Sequence, residues 1–471
     1  MKRAGAMIFA AVALFCTTAL APELQAQQPA VREKETPPAP GTPRAFAVPQ
    51  VQRFELPNGL EVRFVDYGNV PKATVRLVTQ TGNIDEAATE VWLADVTGSM
   101  MQQGTETRSA EEIAREIALM GGALDVSVGV NQTTIGTDVF SESATEAVAL
   151  VADVARNPLL PESELARIKG DLARNLSIQR SQPQSLASEA FNRVIYGEHP
   201  YGRIFPTEDA LAGYTIDQVR TFHERNFGAA RSYLYVVGKF DAAAVESAVR
   251  ASFGDWAAGN APAAVSLAPV STREIHLIDR PGSVQSTLYI GLPVVHAANA
   301  DYLPLTVMNA LLGGSFGSRI TSNIREQKGY TYSPTSVVTT RLGAATWAEV
   351  ADVTTNVTGA SIKEILGEIE RLRKEPPTAQ ELRGIQNYLA GTFVLRNSSR
   401  PGIASQLAFL DLYRLTEDYL RNYVQRVYAL TPADIQRMAQ TYIDPSRLAI
   451  VVVGARAAIA EQLKPYGDIV Q

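Results

Sequence analysis

The sequence predicts an α+β fold of two homologous domains, each a mainly antiparallel sheet with helices packed on one face. Three observations lead there. The chain has 471 residues, of which 46% are hydrophobic and 20% charged, and a single core stops growing at about 250–300 residues, so more than one is expected. Segments of strand period alternate with helices of ordinary globular length. The order of elements in the first half then recurs in the second at a nearly constant offset, the mark of an internal repeat.

Taken in order, Lys2 and Arg3 precede a nearly uncharged apolar run over 4–21, which reads as a signal peptide at 1–26 with cleavage expected after Ala26. Export follows, with the periplasm as the expected compartment and no membrane span after signal cleavage. Cys16 reads as an apolar residue of that signal, so the mature chain carries no cysteine and owes nothing to disulfides. Residues 27–48 are rich in Pro and charge without an apolar period, the pattern of a flexible segment. The N-terminal domain is expected over 49–257. It opens on a hairpin, because two alternating runs flank Pro57-Asn58-Gly59. Residues 258–273 are small and Pro-punctuated and read as a linker, and alternation resumes at Ile275 in a C-terminal domain over 274–471.

The repeat is clearest in two pairs of segments. Residues 154–177 and 369–393 each give a helix end, a Pro break and a second helix. Residues 214–240 and 430–456 each give a capped amphipathic helix running into an apolar strand that ends in Val-Gly. Strand-rich stretches are expected at 73–81, 123–139, 232–237, 286–292, 332–338, 345–353 and 448–453. The helices at 110–120 and 362–374 show apolar residues at i, i+3, i+4 and i+7, so each needs one face covered. A sheet with helices on one side meets both demands.

The formal net charge is -6 and the sequence pI about 5.5, and no run of Lys and Arg is long enough to track a phosphate backbone. Nucleic acid is therefore not an expected partner. The four histidines, His199, His223, His276 and His296, include no two at the three-to-five spacing that puts imidazoles on one helix face. His223-Glu224 looks like half a zinc helix, but Phe227 stands at the i+4 place. His199, in a Gly/Pro/Tyr loop, is expected to order that loop through hydrogen bonds.

Two stretches are more specific: Tyr196-Gly197-Glu198-His199-Pro200-Tyr201-Gly202-Arg203, and Ser318-Arg319-Ile320 through Ile324-Arg325-Glu326 to Gly329-Tyr330-Thr331-Tyr332. With the duplicated halves they resemble the pitrilysin/insulinase peptidases over nearly the whole mature chain. Active members of that family carry H-x-x-E-H on a helix of the first half, where two His and a more distant Glu hold zinc and the motif Glu activates water. Anchored on Gly104-Thr105 in a helix expected over 90–105, those three positions fall here on Asp95, Gly98 and Ser99. The third ligand would lie near Asp171 and Asn175. The resemblance thus implies a subunit with no metal or cofactor of its own.

What the resemblance does preserve is Arg325 and Tyr332, seven residues apart, a cation and a phenol that in family members point at the metal of a catalytic half and hold the substrate carbonyl and developing oxyanion. Tyr330 is a neighbour without that role. Gly313, Gly314, Ser315 and Phe316 resemble a glycine-rich loop that touches substrate; read locally, the same residues are a helix C-cap and turn before a helix over 318–327. The implied function is a non-catalytic subunit of a heteromeric zinc metallopeptidase, active on peptides only beside a zinc-bearing partner of the same family. The alternative is a peptidase-like binding or scaffold protein of the cell envelope with no part in hydrolysis.

Overall fold

The computed structural model describes residues 49–262, 267–270 and 272–470, together with Ala47. The expected signal peptide lies outside the described residues, as does nearly all of the Pro-rich segment.

The strands are β1 Val51–Glu55, β2 Glu61–Asp66, β3 Lys72–Thr79, β4 Asp125–Val128, β5 Thr133–Phe140, β6 Ser232–Gly238, β7 Ile275–Asp279, β8 Gln285–Val294, β9 Thr335–Arg341, β10 Ala344–Thr354, β11 Ala449–Gly454 and β12 Ile469–Val470. They form two six-stranded sheets, in the orders β1-β2-β6-β3-β5-β4 and β12-β7-β11-β8-β10-β9. In the first, only β2 and β6 run parallel; in the second, β7 runs parallel to both β11 and β12. Both sheets are thus mainly antiparallel. The expected hairpin is β1 and β2, paired from Val51↔Val65 to Glu55↔Glu61, with Gly59 at φ +91 in the turn, a conformation glycine adopts without strain.

Capping residues start the helices that the repeat predicted. Thr215 and Thr431 each accept a hydrogen bond from a backbone N–H three residues on while Gln218 and Asp434 reach back, closing two capping boxes for Ile216–Asn226 and Pro432–Tyr442. Thr378 caps Ala379–Arg396 in the same way without the reciprocal bond.

The strand-rich stretch at 123–139 holds the two strands β4 and β5. Two local expectations are corrected. The strand expected from Tyr332 begins at Thr335, because Pro334 has no N–H to give a ladder; Tyr332 lies on the irregular lead-in, after a single bridge from Thr331 to Val353. The helix expected over 90–105 is only Leu93–Met100. It starts behind Trp92, held at φ +70, and the chain turns out at Gly104, φ +112.

Each sheet packs its own helices on one face. The first core joins Val62, Phe64, Val75, Leu77, Leu234 and Val236 to the helices of its half, and the second joins Leu288, Ile290, Trp347, Ile450 and Val452 to theirs. The opposite faces are also apolar, and each is covered by a helix from the other half. Helix Arg400–Tyr413 lays Ile403, Ala404, Leu407 and Leu410 on Val65, Val78, Tyr235 and Val237. Helix Pro183–Tyr196 lays Ala187, Phe191 and Ile195 on Ala344, Ala348, Ala449, Val451 and Val453. Gly291 admits that contact, since a Cβ there would lie 2.8 Å from the Phe191 ring and 2.3 Å from the Trp347 carbonyl. The two covering helices hold the same place in their halves, each following the long helix after the Pro break. Polar bonds tighten the exchange: Arg400 grips Asp138 through both carboxylate oxygens, while Asp411 accepts from Tyr235 at 2.7 Å and Arg63 at 3.2 Å.

Candidate functional site

The positions expected for the family's zinc motif, Asp95, Gly98 and Ser99, lie on helix Leu93–Met100, which packs on β4. Asp95 faces a cavity of about 270 Å³ whose lining includes Asn83, Trp92, Asn175, Tyr201 and Arg341. The Asn83 amide donates to Asp95 at 2.7 Å and to Glu86 at 3.1 Å, and Glu86 also accepts from the backbone N–H of Ala94 at 2.9 Å. Burial pushes Glu86 up to about 8 and Asp95 to about 6, and Asn83's hydrogen bonds offset only part of that.

Gly98, where the motif glutamate would stand, has been closed by packing: a Cβ would lie 2.4 Å from Cγ2 of Val128 on β4. Ser99 lends its carbonyl to the Gln103 amide. Of the two residues near the expected third ligand, Asn175 lines the cavity, whereas Asp171 points away and pairs with Arg167 and Arg174. One carboxyl tied to an amide, a glycine and a hydroxyl do not make a zinc site, and among the described residues no three His, Cys, Asp or Glu converge to hold a metal ion. His199 accepts from the backbone N–H of Tyr201 within its loop. His223 bonds to the Ala155 carbonyl and stacks on Phe227, both structural roles.

Arg325 and Tyr332 come together on the second half. The backbone over Thr321–Gln327 is wound wide, as a π-type helix in which Lys328 N–H reaches back five residues to Asn323. It ends at Gly329, φ +65, so the chain reverses and carries Tyr332 back over Arg325. The guanidinium sits 5.2 Å from the Tyr332 ring centre and 4.3 Å from that of Phe316, with Glu326 at 3.3 Å on its edge. Phe316 and Tyr332 are 72% and 80% exposed. Exposed cation–π contacts are worth about 0.5–1 kcal/mol each, enough to bias where the half-buried guanidinium rests.

The glycine-rich loop therefore joins the Arg/Tyr pair through Phe316. Its other members are held from below: a second π-type segment, Ala310–Gly314, passes so close to β9 and β10 that a Cβ on Gly313 would lie 2.4 Å from Glu349 Oε2 and one on Gly314 would lie 2.4 Å from the Asn309 amide. The Ser315 hydroxyl is buried without a partner. Glu349 itself is fully buried, neither carboxyl oxygen has a partner, and burial raises it well above the usual glutamate range. Sequence reasoning passes over it, although a signal exists: a lone carboxyl on the apolar face that Trp347, Ala351 and Val353 also occupy.

Residues 65–206 match the family described as Insulinase (Peptidase family M16), and residues 213–389 match the Peptidase M16 inactive domain. The chain belongs to the M16 peptidase family. Among the relatives of this M16 chain, an uncharacterised zinc protease of Streptomyces coelicolor is 22% identical over 412 residues, 86% of this chain and 89% of the relative. An uncharacterised zinc protease of Rickettsia felis is 24% identical over 331 residues, 70% of this chain and 80% of the other. In fold it is similar to the crystal structure of a peptidase M16 inactive domain from Pseudomonas fluorescens, with TM-score 0.79, 24% identity, and coverage of 86% of this chain and 98% of that one. It is also similar to the structure of a protease from Helicobacter pylori, with TM-score 0.81, 19% identity, and coverage of 87% and 100%. This chain is thus a non-catalytic peptidase-like M16 protein.

Proposed function

We propose that this M16 chain is the non-catalytic subunit of a heteromeric zinc metallopeptidase, exported with a zinc-bearing partner of the same family, and that Arg325 and Tyr332 complete the partner's site on peptide substrates. The observation that carries the reading is the pairing of these two groups, with Tyr332 80% exposed over the half-buried Arg325. The guanidinium and the phenol ring lie 5.2 Å apart, in a chain whose own motif helix offers a single carboxyl, Asp95. Both groups donate to negative charge, so a carbonyl oxygen that becomes an oxyanion in the partner's site gains most from them as its charge develops.

The test is peptide cleavage by the chain mixed with a zinc-bearing M16 subunit. Arg325→Ala and Tyr332→Phe are each expected to lower kcat by about 100-fold or more, the effect of removing one oxyanion donor, with complex formation retained. Unchanged cleavage by both variant complexes would sink the role. Binding of peptide with no cleavage by any such mixture would favour the scaffold reading, to which the exposed Phe316 and Tyr332 rings also lend support.

A further inference from the structure

A cavity of about 570 Å³ lies beside the edge strand β9, bounded by that strand and by helices Ala379–Arg396 and Arg400–Tyr413. It lies within the usual size range of small-molecule sites. Tyr302, Tyr388, Tyr419, Tyr423 and Phe409 supply aromatic walls, and Arg396 stands among them with no ion pair or hydrogen bond on its guanidinium among the described residues. None of the lining residues is acidic. The four tyrosine hydroxyls likewise make no hydrogen bond to a described residue, although Tyr302 is only 9% exposed. These groups line one space: the Tyr419 ring centre lies 5.9 Å from that of Phe409 and 6.3 Å from that of Tyr423, and burial raises the Tyr423 phenol while the Arg396 charge opposes the rise.

Unspent donors around one cation, with no carboxylate to meet them, define an acceptor for negative charge. Arg396 is the one cation among the described lining residues, Arg426 reaching only the Tyr419 ring at 6.0 Å. One lining cation suits one negative charge better than a phosphate dianion, and it repels a quaternary ammonium that aromatic walls would otherwise welcome. We propose that this cavity binds a carboxylate carried on an aromatic or branched apolar body, the chemistry of a peptide's C-terminal residue. The rings take the body, and Arg396 with the Tyr423 hydroxyl takes the carboxylate.

The test is calorimetric titration of the full chain, without partner or zinc, so that it stands apart from the proposed peptidase role. The probes are N-acetyl-L-phenylalanine, a short peptide ending in Phe, and the C-terminal amide of each. At least one free acid is expected to bind about tenfold or more tighter than its amide, the worth of a charge-assisted bond. Arg396→Gln, at an exposed and unpaired position, is expected to remove that preference while the fold is kept, and Tyr423→Phe to reduce it. Binding of the peptide alone assigns the site to chain ends; binding of both acids extends it to small aromatic acids. Equal affinity for acid and amide, no binding of either acid at millimolar concentration, or an acid preference untouched by Arg396→Gln overturns the proposal.

Discussion

At the scale of single residues, two kinds of polar group behave differently. Tyr332 is exposed and Arg325 half-buried, and their seven-residue spacing is legible in the chain itself; what the sequence does not show is that Phe316 lies over the guanidinium, because a loop nine residues upstream meets it only after both segments wind wide. Glu349, Glu86 and Asp95 are the reverse case, carboxyls raised by burial. Such a group keeps its proton in the folded chain after the unfolded chain has lost it. Its stabilising share is therefore complete below the unfolded value and declines as pH rises, by about 1.4 kcal/mol per pH unit for each group, until the folded value is passed. The decline starts near pH 4 to 4.5 and, for Glu86, ends near 8. The carboxyls lowered by their partners, such as Asp138 beside Arg400, Asp153 beside Thr105 and Glu381 beside Arg319, lose stability only as pH falls, in a lower window. Melting temperatures measured from pH 5 to 8 are expected to fall with rising pH, and Glu349→Gln to flatten the slope. An equally steep slope in the variant would exclude Glu349 as a source.

At the scale of elements, the glycine-rich turn carries the sharpest prediction. Gly313 has a positional reason to be glycine, since its Cβ would meet both Glu349 Oε2 at 2.4 Å and Ser336 Oγ at 2.5 Å, whereas Gly317 has open space around it. Gly313→Ala is expected to cost about 1–3 kcal/mol, as overpacking does in a filled interior, and Gly317→Ala to stay within about 0.5 kcal/mol of the parent. Denaturant titration of the two variants checks this; equal midpoints would mean that the turn is not pressed onto β9 and β10 as described. The local choice between a C-cap turn and a substrate loop is open in the sequence because both use the same residues. Element starts are more legible. The boxes Thr215/Gln218 and Thr431/Asp434 are written in four consecutive residues each, while the early end of helix Leu93–Met100 depends on backbone angles at Trp92 and Gly104 that no local pattern announces.

At the scale of the molecule, the exchanged helices make the halves interdependent. The first sheet shows Val65, Val78, Tyr235 and Val237 on the face that helix Arg400–Tyr413 covers, and an uncovered apolar sheet face of that kind promotes aggregation. Residues 49–257 expressed alone are expected to aggregate or bind a hydrophobic dye, and co-expression with residues 274–471 to restore a soluble complex. A soluble, cooperatively folded first half on its own would show that the cover is dispensable. In the intact chain Asp138→Ala, which strips Arg400 of its carboxylate, is expected to lower stability by about 1–3 kcal/mol while leaving a single unfolding transition; two separated transitions would mean that the halves are independent.

The sequence by itself determined the strand and helix periods and the duplication, because both reside in neighbouring residues or in a repeat that can be aligned by eye. Only the tertiary structure decided what covers the second face of each sheet, which side chain lies on Arg325, and where Arg396 and four tyrosines meet. Alternating strands announce that a face is apolar, yet the covering side chain comes from some 200 residues away, and local periodicity holds no record of it.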